Sequence, residues 1–160
     1  MGAPGAGPPV ACDDRGVEDA LTDHDYERLL AFRTDLRRFL RWSEQEAAAA
    51  GVTPAQHQLL LAIRGNPDPS GPTIGDVADA LLLRHHSAVG LVDRAVTAGL
   101  VRRVSDARDH RVVRLELTPR GARCLARLAQ AHLTELADLP PRLVGFADPV
   151  ATRLNAAGDG

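Results

Sequence analysis

Along most of this chain the apolar positions recur with a helical period, and once, past its middle, they switch to strict alternation. Tyr26, Leu29, Leu30, Leu36, Phe39 and Leu40 fall at helical spacing and predict a helix over residues 22–50. Thr22 is its expected N-cap, Asp23 and Asp25 sit where the helix dipole favours acids, and Gly51 is its stop. A second helix opens at Thr53-Pro54-Ala55-Gln56, a capping box with Pro at the first turn, and buries Leu59, Leu60 and Ile63. Residues 65–72, GNPDPSGP, hold three prolines and two glycines and read as a loop. Thr73 and Asp76 then cap a short third helix with Ile74, Val77, Ala78, Leu81 and Leu82 on one face. A tight turn near Leu83 and Arg84 leads to a fourth helix over residues 85–98. Its expected buried side is Val89, Val92 and Val96, and Gly99 ends it.

The period changes next. Residues 101–104 read as a strand, residues 105–110 as a polar turn, and Val113, Leu115 and Leu117 alternate with Val112, Arg114 and Glu116 in a second strand. The pair is a β-hairpin. Thr118-Pro119 begins a long helix through Leu125, Leu128, Leu133 and Leu136, broken at Pro140-Pro141. A short last helix is expected around residues 143–154, interrupted by Pro149, and residues 1–20, rich in Gly and Pro, read as a disordered tail. The fold class is therefore mostly α with a small β-hairpin. One domain over residues 21–155 accounts for it, with additional helices before and after a central module at about 53–118.

Helix, tight turn, helix and hairpin in this order is the winged helix-turn-helix plan. The DNA major groove admits one α-helix, and in such modules the second helix of the pair enters it. Here that helix carries Arg84, His85, His86, Ser87, Gly90 and Arg94 away from its apolar side. Ser87 and Gly90 are small enough for close approach to base edges, while Arg84 and His86 can donate to guanine or phosphate. The hairpin has an Arg-rich tip of a kind that enters a flanking minor groove. Charge refines the picture. The formal net charge is −2, which by itself argues against a polyanionic partner. Yet every basic residue is Arg, and they crowd the middle of the chain at Arg84, Arg94, Arg102, Arg103, Arg108, Arg111, Arg114, Arg120, Arg123 and Arg127. The acids gather instead near the N-terminus. A basic stretch on an acidic chain is the footprint of a local phosphate-binding face.

Three segments then carry a family likeness: Gly99-Leu100-Val101-Arg102-Arg103, Asp106-Ala107-Arg108-Asp109-His110-Arg111, and Leu117-Thr118-Pro119-Arg120-Gly121, preceded by Val92-Asp93-Arg94. From Thr73 to Gly121 the chain resembles the MarR family of winged helix-turn-helix transcription regulators. The resemblance implies that Arg84 to Ser87, Gly90 and Arg94 line the DNA-facing side of the recognition helix. It implies that Arg108 reaches the minor groove from the wing tip, and that Asp106, Asp109 and Arg111 brace the wing through ion pairs, Arg111 also touching the backbone. It further implies a homodimer formed by helices about 22–50 and 118–155, on a pseudo-palindromic double-stranded operator. A repressor released by a small, often phenolic, effector is the corresponding mode of action. The sequence departs from many relatives in having Gly90 where they carry a larger polar residue, and Ala95 where they carry Leu.

Other functions find less support. No apolar run approaches the roughly 20 residues that span a bilayer, the N-terminus has no charged region followed by an apolar one as in a secretory signal, and the expected compartment is the cytoplasm. His85 and His86 are adjacent on a helix and point apart, which suits one metal ion poorly, so neither a metal nor another cofactor is expected. Cys12 and Cys124 form no CxxC pair and no framework. There is no glycine-rich phosphate loop, HExxH or nucleophile–base motif, so an enzyme is not expected. The alternative is a winged-helix module that contacts protein and has lost DNA binding, against which Arg108 and the basic stretch argue.

Overall fold

The computed structural model describes residues 21–138. The expected tail over residues 1–20, the Pro140-Pro141 break and the last short helix lie outside them. The elements run α1 (Asp23–Ala49), α2 (Pro54–Arg64), α3 (Ile74–Ala80), α4 (His85–Thr97), β1 (Val101–Ser105), β2 (Val113–Leu117) and α5 (Pro119–Asp138). The chain divides near Arg37 into two units. The first half of α1 belongs to one of them and exposes Tyr26, Leu29, Leu30 and Leu36. The other contains the rest of α1 and every later element named above.

The local signals act where the sequence places them. The Thr22 hydroxyl accepts from the Asp25 N–H at 3.3 Å while Asp25 Oδ2 accepts from the Thr22 N–H at 3.0 Å. Thr53 with Gln56 and Thr73 with Asp76 close the same reciprocal box at α2 and α3. Gly51 and Gly99 take φ of 77° and 67°, the left-handed conformation that ends a helix and that glycine enters without steric cost.

The core of the second unit lies under the helix-turn-helix. Leu59 and Leu60 from α2, Val77 from α3, Leu91 and Val92 from α4, Val101 and Leu115 from the hairpin, and Leu125 and Leu128 from α5 all bury there. Each of these aliphatic side chains contributes about 1.5–3 kcal/mol relative to leaving it in water. The hairpin is antiparallel, with Val101 opposite Leu117, Arg103 opposite Leu115 and Ser105 opposite Val113. It is joined to the α2–α3 loop by the Leu115 N–H, which donates to the Pro72 carbonyl at 2.8 Å.

Three details depart from the periodicity. The buried stripe of α4 is Ala88, Leu91, Val92 and Ala95, with Val89 and Val96 only half-buried. Small alanines face inward because α4 lies close to its neighbours, and the valines flank the contact. Leu82 does not extend the apolar face of α3. The helix ends at Ala80, and Leu82 turns the chain with φ 53° and stands 94% exposed. In α5 the apolar stripe also changes character along its length: Leu125 and Leu128 are buried, whereas Leu133 and Leu136 face outward.

Candidate nucleic-acid interface

α4 presents its polar side without hindrance. Arg84, His85, His86, Ser87 and Arg94 are exposed and Gly90 is half-buried. Arg84 occupies the N-cap with extended backbone and makes no side-chain cap hydrogen bond. The first amides of α4 therefore keep their hydrogen-bonding capacity at the positive end of the helix dipole, next to a guanidinium and two imidazoles. A Cβ built at Gly90 would lie 3.4 Å from Arg94 Nη1, so the Arg94 guanidinium lies along the surface that Gly90 leaves open. Asp93 shares this side of the helix, but Arg103 Nη2 donates to its Oδ1 at 2.7 Å, which offsets the one acid on the face.

The wing is built around a carboxylate. Asp106 is buried at the start of the turn, where its Oδ1 accepts from the N–H groups of Arg108 at 2.7 Å and Asp109 at 3.1 Å. Its Oδ2 accepts from Arg114 Nε at 2.8 Å. The two backbone donors, and then the Arg114 side chain, hold the Asp106 carboxyl down to about 2, so it is ionised throughout the physiological range. The backbone on either side of Arg108 is thereby pinned while the Arg108 side chain is left exposed at the tip.

Arg114 was not among the residues expected to brace the wing, and it does most of that work. It is largely buried, and besides Asp106 its Nη1 donates to Asp68 Oδ2 at 2.8 Å and to the Gly71 carbonyl at 2.9 Å. The wing is in this way tied to the loop before α3. Arg111 has a smaller part than expected. It donates to Asp109 through Nε and Nη2, both at 3.0 Å, but its side chain is 91% exposed and it does not reach Asp106. This pair keeps the Asp109 carboxyl below its ordinary range and closes the turn locally. The position of Arg114, one residue into β2 and facing the same carboxylate as the turn amides, was the available clue. The hairpin stem has a further cross-strand pair in Arg102 and Glu116, which are directly opposite in register.

The Leu-Thr-Pro-Arg-Gly segment explains how the wing joins α5. The Thr118 hydroxyl donates to the Gly99 carbonyl at 2.7 Å and accepts from the Gly121 N–H at 3.0 Å. One side chain thus ends α4's exit turn and caps α5. Gly121 lies so close to Leu100 that a Cβ there would be 2.0 Å from its carbonyl oxygen.

Residues 50–112 match the sequence profile described as MarR family. Over that segment the chain is similar to the MarR family. A protein of Thauera aromatica proposed to regulate transcription of the hcr operon is 30% identical over 111 residues, covering 69% of this chain and 65% of that protein, just under two thirds of its length. The MarR-family regulator AbsC of Streptomyces coelicolor superposes with a TM-score of 0.64 at 21% identity, covering 85% of this chain and 97% of that one. MepR of S. aureus in its DNA complex superposes with a TM-score of 0.59 at 18% identity, covering 79% and 93% of the two chains. The likeness to these structures extends the winged-helix fold beyond the matched segment. Among the described residues no helix is long and apolar enough to cross a membrane, and no group of three or more His, Cys, Asp or Glu is placed to hold a metal ion.

Proposed function

We propose that this chain is a sequence-specific DNA-binding transcription regulator of the MarR type, acting as a cytoplasmic homodimer and a repressor, and working by binding rather than by catalysis. One observation carries the reading: an uncapped, exposed α4 bearing Arg84, His85, His86, Ser87, Gly90 and Arg94 accompanies a wing whose backbone is fixed by Asp106 and whose tip arginine is exposed. In this reading α4 lies in the major groove, and Arg108 enters the adjoining minor groove. Support for a dimer comes from the apolar side chains left outward on α1, among them Leu30 at 63%, and on α5, among them Leu133 at 64%. A two-fold axis sets two recognition helices about one DNA turn apart on a pseudo-palindrome.

The test is titration of the purified chain against DNA from upstream of its own gene at several salt concentrations. Log affinity falls linearly with log salt if the arginines neutralise phosphates. Arg108→Ala weakens binding by about 1–3 kcal/mol, most at sites with narrow A·T-rich flanks. Wild-type affinity for this variant on every flank overturns the minor-groove assignment, and a flat salt response overturns the phosphate-binding face.

A further inference from the structure

Two histidines away from the DNA-facing side are unusual in their surroundings. His57 on α2 is buried to 4% exposure, and its ring centroid is 4.7 Å from that of His132 on α5. His132 in turn lies 4.8 Å from Trp42 and 5.9 Å from Phe39, both on α1. Its two nitrogens are both engaged. Nδ1 is 2.7 Å from the Leu128 carbonyl, which can only accept, so Nδ1 carries the proton. Nε2 is 2.7 Å from the Ser43 hydroxyl, which donates to it when the ring is neutral. His132 thus joins α5 to α1 by one hydrogen bond, and its ring face joins both to α2.

The same arrangement is intolerant of charge. Two imidazolium rings at this separation repel, and burial removes the water that would screen them. Burial first, and the His132 imidazole second, hold the His57 pKa below the ordinary 6.5. From α1 the groups on this cluster are Trp42, Phe39 and Ser43, none of which titrates near neutrality. The charged side chains of this second unit within two turns of the cluster are Arg38, Arg41, Glu44 and Glu46 of α1, Arg127, Glu135 and Asp138 of α5, and Arg64 of α2, none of which contributes to the His57 shift.

We propose that His57 and His132 form an acid-sensitive latch, which holds α2 against α1 and α5 while the buried His57 ring is neutral and opens when that ring takes a proton. The sign follows from linkage. A histidine whose folded pKa lies below its unfolded one gives stability that is present above the unfolded value near 6.5. That stability is lost as the pH falls toward the folded value. The latch concerns the helix junction alone and stands whether or not the chain binds DNA.

The chain provides its own probe, because Trp42 is its single tryptophan. The intrinsic fluorescence of the full chain is followed from pH 8 to pH 5, with thermal unfolding measured over the same range. In wild type the emission changes with a midpoint in the histidine range, and the unfolding temperature falls as the pH drops. His132→Gln keeps a partner for Ser43 and abolishes the emission change. His57→Phe keeps a ring in the stack, abolishes the emission change, and flattens the stability profile by a few degrees. An emission change that persists in His57→Phe, or stability profiles that run parallel in wild type and both variants, overturns the latch. Should a variant fail to fold, NMR titration of the wild-type imidazoles decides. Titration of His57 below 6.5 upholds the proposal, and titration of His57 at its ordinary value refutes it.

Discussion

Two glycines inside helices should respond to the same substitution with opposite signs. Gly121 begins α5 and Gly90 lies within α4. In an open helix Gly→Ala gains about 1 kcal/mol from lower backbone entropy in the unfolded chain. At Gly121 the new methyl carbon would meet the Leu100 carbonyl oxygen at 2.0 Å, its carbon at 3.0 Å and its Cα at 3.3 Å. These are backbone atoms and cannot rotate away. The helix start or the Gly99–Leu100 segment must retreat by roughly an ångström or more to reach ordinary contact distance. Overpacking of this kind costs about 1–3 kcal/mol. The retreat also stretches the two Thr118 hydroxyl bonds, to the Gly99 carbonyl and from the Gly121 N–H, each worth about 0.5–1.5 kcal/mol. After the helix-propensity gain is subtracted, Gly121→Ala should destabilise the chain by about 2–3 kcal/mol. Gly90→Ala meets only the mobile end of Arg94 at 3.4 Å and should stabilise by up to about 1 kcal/mol.

Urea unfolding at fixed protein concentration measures both variants. With slopes of about 1–3 kcal/mol per molar for small proteins, the Gly121→Ala midpoint should fall by about 1–2 M and the Gly90→Ala midpoint should rise. If Gly121→Ala unfolds at or above the wild-type midpoint, the close approach of α5 to Leu100 is not a constraint and the argument fails. DNA affinity separates the second role of Gly90. A more stable Gly90→Ala variant that binds DNA more weakly supports close approach of α4 to the bases. Unchanged affinity means that Gly90 serves only to accommodate Arg94.

Three further outcomes follow from the wing. Arg114→Gln should loosen both residues 106–112 and residues 65–72, read as faster amide exchange in the two segments together, because one guanidinium holds both; protection retained in either segment contradicts that role. Arg111→Ala should leave exchange in the wing and thermal stability close to wild type, since an exposed ion pair contributes little, and a loss comparable with Arg114→Gln would show that bracing was assigned to the wrong arginine. The Asp106 carboxyl has a folded pKa near 2, below its unfolded value near 4, so its stabilising effect is complete above about pH 4 and is lost as the pH falls from there toward 2. Asp106→Asn should remove that part of the acid transition, and an identical acid profile in the variant would refute it.

Features that depend on a few neighbouring residues were legible in the sequence. The capping boxes at Thr53 and Thr73 and the glycine stops at Gly51 and Gly99 are local chemistry, satisfied within three or four residues, and they appear in the structure as read. The candidate DNA-facing side chains of α4 other than the half-buried Gly90 are exposed for the same reason: once the helix is placed, its polar side follows from the period. What the period could not give was phase and stopping point. Valines at 89, 92 and 96 define a stripe by hydrophobicity. Packing instead selects the face with Ala88, Leu91, Val92 and Ala95, because small side chains allow close helix contact. Leu82 continues the apolar pattern of α3, yet the Leu83 N–H donates to the Ala78 carbonyl at 2.8 Å in a turn that requires a left-handed residue, so it is turned out to solvent.

The wing shows the other limit, that of pairing between distant segments. From the sequence, Asp106, Asp109 and Arg111 stand close enough to pair with one another, and Asp109 with Arg111 does so. Nothing local indicates that Arg114 would meet Asp68, 46 residues earlier, rather than solvent. Yet this contact alters how the DNA-binding reading should be understood. A tip arginine reads a groove only if its backbone is held before the DNA arrives, since ordering a loose hairpin on binding subtracts from the affinity gained. The exposed residues Arg108 and Arg111 would lead a mutational scan to look for wing function on the surface. The structure points to a buried carboxylate and a largely buried guanidinium as the groups that keep Arg108 in position. Variants at Asp106 and Arg114 should therefore weaken DNA binding without either residue touching DNA, and they should do so on all flanking sequences alike. Arg108→Ala should instead show flank dependence. That contrast in sequence dependence, measured on one panel of operators, separates a residue that holds the wing from one that reads the groove.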